Sequence, residues 1–202
     1  AIYGAPVRGT TPADMEFMSA ARILFGTHNG EPIEFVAIGL GKEGLTSPAG
    51  CLTLIATDIV LEKQKFSDGD RSYSKSLARQ AMESAVVLTG EERGAIRPRT
   101  FVPGVNQMFD SVEFTVDLWL SEGAVVGQIN ESLRRTSGYW WTMSMYDWNS
   151  GMTVITSAGG LASRTSPTAE SGIRPEFFLD LTKIYGIREV EGKTNTYTLV
   201  LD

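Results

Sequence analysis

Residues 173–181, reading Ile-Arg-Pro-Glu-Phe-Phe-Leu-Asp-Leu, constrain the fold more than any other stretch of this chain. Ile173, Pro175, Phe177, Leu179 and Leu181 fall on one face of an extended backbone, and Arg174, Glu176, Phe178 and Asp180 on the other. Such alternation specifies a β-strand with one buried face. Pro175 has no amide hydrogen to give to a ladder, which puts the strand at a sheet edge or just after a bulge. Upstream, Trp140 and Trp141 stand side by side within Tyr-Trp-Trp-Thr-Met-Ser. Two tryptophans carry too much apolar area for a loop, so at least one packs in the core. Between these segments runs an interval of Gly, Ser, Thr and scattered aromatics.

The rest of the chain is expected to support these strands. At 202 residues, 42% hydrophobic and 21% charged, it is long enough for one large domain with a substantial core. A net charge of -6 opposes a nucleic-acid partner. No apolar run reaches the roughly 18 residues of a membrane span. The first residue, Ala1, is followed by no charged-then-apolar leader, as in a mature or trimmed form. The single cysteine, Cys51, permits no internal disulfide and reads as a small buried hydrophobe.

Residues 1–20 read as an arm, with a short helix over 13–21. Strands are expected over 23–26 and 33–40, joined at Asn29-Gly30, the strongest hairpin dipeptide. A third strand follows over 52–61, then a polar loop over 63–74. Tyr73, Leu77, Ala81 and Ala85, four apart, predict a helix over 76–87. Residues 112–120 alternate strictly, with Val112, Phe114, Val116, Leu118 and Leu120 inward and Trp119 outward. A short helix over 122–133 precedes the Trp-Trp strand. Residues 184–190 and 195–201 form a terminal hairpin around Glu191-Gly192-Lys193.

Few motifs carry chemistry. Gly39-Leu-Gly-Lys-Glu-Gly44 matches the dinucleotide fingerprint, with Asp58 at the distance an acidic partner would take. The fingerprint needs a helix after its glycines, and residues 45–50 leave no room for one. A Gly-rich hairpin loop is the better reading. His28, the only histidine, sits in a turn, where small polar residues are ordinary. No nucleophile elbow accompanies it. Zinc would need Cys and His ligands that the chain lacks. Asp147 and Asn149, two side-chain oxygens, do not fill a calcium shell. No cofactor, metal or catalytic residue is therefore assigned.

The strongest candidates for binding lie in the interval. Tyr139, Met143, Met145, Tyr146, Asp147, Trp148, Asn149, Ser150 and Met152 mix aromatics, thioethers and short polar groups, the composition of a paratope. The same residues also suit a strand and turn in which half are core, and both readings stand. Trp140, Trp141, Gly172, Arg174 and Pro175 are assigned structural parts, with Arg174 tying the last strand to loop carbonyls.

Trp140-Trp141-x-x-Ser144, a Gly-rich interval, and Gly172-Ile-Arg-Pro-x-Phe-x-Leu-Asp-Leu together resemble the end of a bacterial domain family of unknown function. That family is similar to C-type lectins and to formylglycine-generating enzymes. The resemblance extends over about residues 21–184. Phe25-Gly26, Gly30-x-Pro32-Ile33-x-Phe35, Leu52-x-Leu54-Ile55, Ser76-Leu77-Ala78-Arg79 and Leu118-x-Leu120-Ser121-x-Gly123 match its weaker motifs. The family usually reads Leu-Arg-Ser where this chain has Thr142-Met143-Ser144. The formylglycine-generating enzymes use a cysteine pair, which one cysteine cannot supply. Some lectin-like proteins diversified by retroelements place their variable residues where residues 139–150 stand here.

The resemblance implies an α+β fold of C-type-lectin-like type. Twisted, mostly antiparallel sheets, one or two helices and long irregular loops are expected over 21–184. The arm precedes this domain, and residues 185–202 form a hairpin or an extension of it. The expected function is non-enzymatic recognition of a protein or glycan on another surface, through 139–152. The parent would be an extracellular, cell-surface or virion-surface protein, with self-association left open. The alternatives are an enzyme with a carboxylate-lined pocket and a structural module of a larger adhesin or fibre.

Overall fold

The computed structural model describes residues 21–40, 47–104, 110–145 and 151–201. The expected arm, Tyr146, Asp147, Trp148, Asn149 and Ser150 lie outside the described residues, as does most of the Gly39–Gly44 motif. In chain order run β1 (Arg22–His28), β2 (Glu31–Leu40), β3 (Cys51–Ala56), β4 (Leu61–Lys65), α1 (Leu77–Ala85), α2 (Gly90–Ala95), β5 (Ile96–Arg97) and β6 (Arg99–Phe101). Next come β7 (Phe114–Val116), α3 (Gly123–Val126), α4 (Glu131–Arg134), β8 (Trp140–Met145), β9 (Met152–Ile155), β10 (Leu161–Thr165) and β11 (Glu170–Ile173). The chain ends with β12 (Glu176–Asp180), a 3₁₀ turn (Leu181–Lys183), β13 (Ile184–Glu189) and β14 (Thr196–Leu201). This is a mixed α+β fold, mostly strands.

Two compact units share the chain. The first comprises the described residues through Ala56, Val86–Arg97 and Phe177 onward. Its sheet has seven strands in the order β13-β14-β1-β2-β3-β12-β5. The β1–β2 hairpin turns at Asn29 and Gly30, with φ of 51° and 80°, the paired positive values of a primed turn. The rings of Phe25, Phe35 and Phe177 pack together, with centroids 4.6 Å apart for Phe25–Phe177 and 5.0 Å for Phe35–Phe177. The terminal hairpin joins this sheet, because β14 pairs in parallel with β1.

The second unit comprises Thr57–Ala85 and Pro98–Glu176. A five-stranded sheet, β10-β9-β8-β11-β4, forms its frame, with β6 and β7 as a separate pair. All six residues of β8 and all four of β9 are buried. These strands are apolar or small on both faces, as central strands covered on both sides must be.

Several expectations are corrected. Residues 173–181 do not form one strand with one wet face. The segment breaks at Pro175 into β11 and β12, each with a partner strand on both sides. Arg174, Glu176 and Phe178, expected outward, are buried. The alternation over 112–120 yields only the three residues of β7. Val112 is exposed and Trp119 is fully buried, because the Trp119 backbone pairs instead with Glu176. The third strand stops at Ala56, and Leu61–Lys65, assigned to a strand end and a loop, forms β4. Residues 122–133 hold two short helices. The supposed loop between the signature motifs contains β9 and β10. Helix α2, not foreseen, is fixed by a capping box in which Thr89 and Glu92 bond each other's backbone amides.

Candidate functional site

The two structural tryptophans are both fully buried, and both indole N–H groups are satisfied. Trp140 donates to the Arg134 carbonyl at 3.2 Å and Trp141 to the Gln64 carbonyl at 2.6 Å. Strand β8 is thus held from both flanks. Met143, Met145 and Met152, expected to meet a ligand, are core residues instead. They lie on β8 and β9, neighbouring strands of the five-stranded sheet whose residues are all buried.

Tyr139 differs. It immediately precedes β8 and is 52% exposed. Its carbonyl accepts the Gly172 amide at 2.6 Å, where β8 and β11 meet in parallel. It borders an open cleft of about 240 Å³, lined also by Ile59, Glu62, Lys63, Ser137, Gly138, Glu170, Ser171 and Gly172.

A bulge shapes this cleft. Ser171 pairs with Gln64 and Ile173 with Leu61, so Glu62 and Lys63 together face the single residue Gly172. The extra residue is accommodated by Lys63 at φ 52°. In a regular strand the side chains of Glu62 and Lys63 would point to opposite faces. Here both residues border the cleft. Gly172 is the tight point, since a Cβ there would come within 2.6 Å of the Ile59 side chain. Gly172→Ala is expected to displace Ile59, loosen the bulge and cost about 1–3 kcal/mol. Urea denaturation measures this directly.

Below the cleft rim, Asp58 fastens the loop before β8. Its Oδ1 accepts from the backbone N–H and the hydroxyl of Ser137, each at 3.0 Å. Burial works against its charge, but the bonds from Ser137 and Ile59 and the nearby Arg174 outweigh it and lower its pKa.

A separate cluster of buried charge lies around Glu176. Trp119 Nε1 donates to Oε2 at 2.6 Å and Ser121 Oγ to Oε1 at 3.3 Å. Arg99 forms an ion pair with Glu122 and lies over the rings of Phe101 and Trp119, at 4.5 and 5.0 Å from their centroids. Arg174 lies 4.8 Å over Trp140 and donates from Nη2 to the Leu133 carbonyl. Burial raises the Glu176 carboxyl, against the charge of Arg99, the two hydrogen bonds and the charge of Arg174. Burial brings the Arg174 guanidinium down to about 10, with Glu176 and Asp58 opposing. A buried acid with a raised pKa suggests general acid chemistry. Here both oxygens are committed to neighbouring side chains, and the arrangement is that of a fastening between strands.

No family model, curated protein or solved structure matches this chain.

The other sequence candidates are placed as follows. His28 lies at the end of β1, with Nε2 3.2 Å from Asn29 Nδ2. Cys51 is buried, and burial raises its thiol pKa. Gly39 and Leu40 end β2, which pairs antiparallel with β3, and an antiparallel pair calls for no crossover connection. Among the described residues no three of His, Cys, Asp and Glu gather to hold a metal ion, and no helix is long and apolar enough to cross a membrane. Sequence reasoning missed Glu62, Lys63 and Glu170. The only signal for them was polar residues flanking Leu61 and Ser171, which a bulge can bring together and a regular strand cannot.

Proposed function

We propose that this chain is a non-enzymatic recognition domain of C-type-lectin-like fold, related to the bacterial family whose closing motifs it resembles. It binds a protein or glycan on another surface, and its parent is displayed outside the cell or on a virion. The binding face is the end of the second unit's sheet that carries Tyr139. The supporting observation is the contrast between neighbours: Trp140 and Trp141 are sealed in the core while Tyr139 stands exposed at a cleft. A rigid strand that presents an aromatic side chain at its mouth gives contact area at little entropic cost.

Arrays of glycans and surface proteins, probed with the chain and with Tyr139→Ala, test this reading. Tyr139→Ala is expected to weaken the bound ligand about tenfold or more, with a melting temperature unchanged within about 1–2 °C. The double variant Tyr146→Ala with Trp148→Ala is expected to weaken it as well. Binding that survives both variants would place recognition elsewhere.

A further inference from the structure

We infer that Asn29-Gly30, at the tip of the β1–β2 hairpin, is a self-modification site. The chain there converts asparagine to isoaspartate and aspartate through a cyclic imide, and His28 supplies the proton that the departing ammonia takes. The inference concerns the first unit alone and stands apart from the recognition reading.

The sequence supplies the reacting pair and the fold presents it. The nucleophile is the Gly30 amide nitrogen, and its target is the Asn29 side-chain carbonyl carbon, Cγ. A bond between them closes a five-membered ring. Glycine is the one successor with no Cβ to crowd the attack. Both residues are exposed, and an added Cβ at Gly30 would meet nothing within 4 Å. The strand ladder closes at the His28–Glu31 pair, so the Gly30 amide belongs to the turn and carries no ladder bond. The attack needs the peptide between Asn29 and Gly30 to rotate, and no strand bond resists that.

His28 gives the site its chemistry. Its Nε2 lies 3.2 Å from Asn29 Nδ2, the nitrogen that must leave. An amide nitrogen departs poorly unless it is protonated, and an imidazole at that distance is placed to give it a proton. Gly30 loses its amide hydrogen to solvent, the N–Cγ bond forms, and the Cγ–Nδ2 bond breaks with release of ammonia. Water then adds to one of the two imide carbonyls and opens the ring. Opening at the former side-chain carbonyl gives aspartate. Opening at the backbone carbonyl gives isoaspartate, with the main chain routed through the side chain.

The hairpin stem is tied below the tip, so the change is confined to the turn. Thr27 and Val87 exchange backbone hydrogen bonds at 2.9 and 2.8 Å, and the Gly26 amide donates to Glu92. Two other asparagines supply the contrast. Asn195 shares a φ of 51°, but the Thr196 that follows is branched and buried. Asn130 caps a helix, its Oδ1 accepting from the Ser132 amide, and Glu131 follows it.

The test incubates the whole chain in neutral buffer at physiological temperature, with peptide mapping over time. The peptide carrying Asn29 is expected to convert first, gaining the mass that separates OH from NH2, with isoaspartate in excess over aspartate. Hydroxylamine should cleave between residues 29 and 30 while the imide is present, and an isoaspartate-specific methyltransferase should label the product. Gly30→Ala is expected to slow conversion in the folded chain and in urea alike. His28→Phe keeps a ring without the nitrogens. It is expected to slow conversion severalfold in the folded chain, whereas in urea it and the wild type should convert at the same rate. The inference is overturned if Asn29 stays intact, if Asn130 or Asn195 converts as fast, or if Gly30→Ala has no effect. It is overturned too if His28→Phe converts at the wild-type rate when folded, or is slowed equally in urea, where the turn that places the imidazole is gone.

Discussion

Glu176→Ala is expected to destabilise the second unit by about 3–5 kcal/mol, the cost of removing one partner from a buried charge cluster. The substitution leaves Trp119 Nε1 and Ser121 Oγ without their acceptor. It also leaves Arg99 and Arg174 in a buried environment with one compensating charge fewer. Glu176→Gln keeps an acceptor for Trp119 and gives up the one for Ser121 along with the ionisable group, so it is expected to cost less than half as much. A urea midpoint that falls in the order wild type, Glu176→Gln, Glu176→Ala, with a constant m-value, is the expected result. Equal midpoints for all three would show the cluster contributes nothing to stability.

The pH dependence follows from the signs. The folded-state pKa of Glu176 is raised, so its contribution to stability is fully present below the ordinary carboxylate range and is lost as pH rises through the raised value. Asp58 behaves oppositely. Its folded pKa is lowered, so its contribution is present above its ordinary value near 3.8 and is lost as pH falls through the lowered one. Asp58→Asn is therefore expected to flatten the acid limb of a stability profile. Glu176→Gln is expected to reduce the decline on the neutral side.

How much of this was legible in the chain can be judged residue by residue. The Asn29-Gly30 turn, α1 and the terminal hairpin were legible because their signals are local: a dipeptide, a helical spacing, two apolar runs around a glycine. The Trp-Trp strand was legible as well, because the area of two indoles demands a core. Trp119 was misplaced because alternation assigns faces on the assumption that one face is wet. A strand segment bonded to Glu176 and packed under Arg99 has no wet face. The same assumption failed for Arg174 and Glu176, which satisfy each other's surroundings in ways that no period records. At the site, Tyr139 could be foreseen from composition, but Met143, Met145 and Met152 could not be separated from it, since burial in β8 and β9 depends on strands far away in sequence. Glu62 and Lys63 were invisible for a further reason. Only the register against β11 reveals a bulge, and register is a property of two strands.

Trp141→Ala should match or exceed the loss from Glu176→Ala, at about 3–5 kcal/mol. The indole is fully buried, its ring meets Phe66 edge-on at 5.6 Å, and its N–H closes a bond to the Gln64 carbonyl at 2.6 Å. Alanine would leave a cavity beside Phe66 and free that carbonyl of its partner. Gln64 belongs to β4 directly beside the bulge, so the damage should reach Glu62 and Lys63. Trp141→Phe refills most of the space and omits the hydrogen bond, and about 1–3 kcal/mol is expected for it. Amide hydrogen exchange at Gln64, Ser171 and Val154 should accelerate in the same order as the urea midpoints fall. The decisive comparison is with Tyr139→Ala, two positions earlier in the chain. That substitution removes an exposed ring and should change stability by no more than about 0.5 kcal/mol. If both variants lose stability alike, Tyr139 belongs to the core and its exposure carries no functional weight. If Trp141→Ala unfolds the sheet while Tyr139→Ala only silences binding, the two roles divide between neighbouring aromatics as their burial requires.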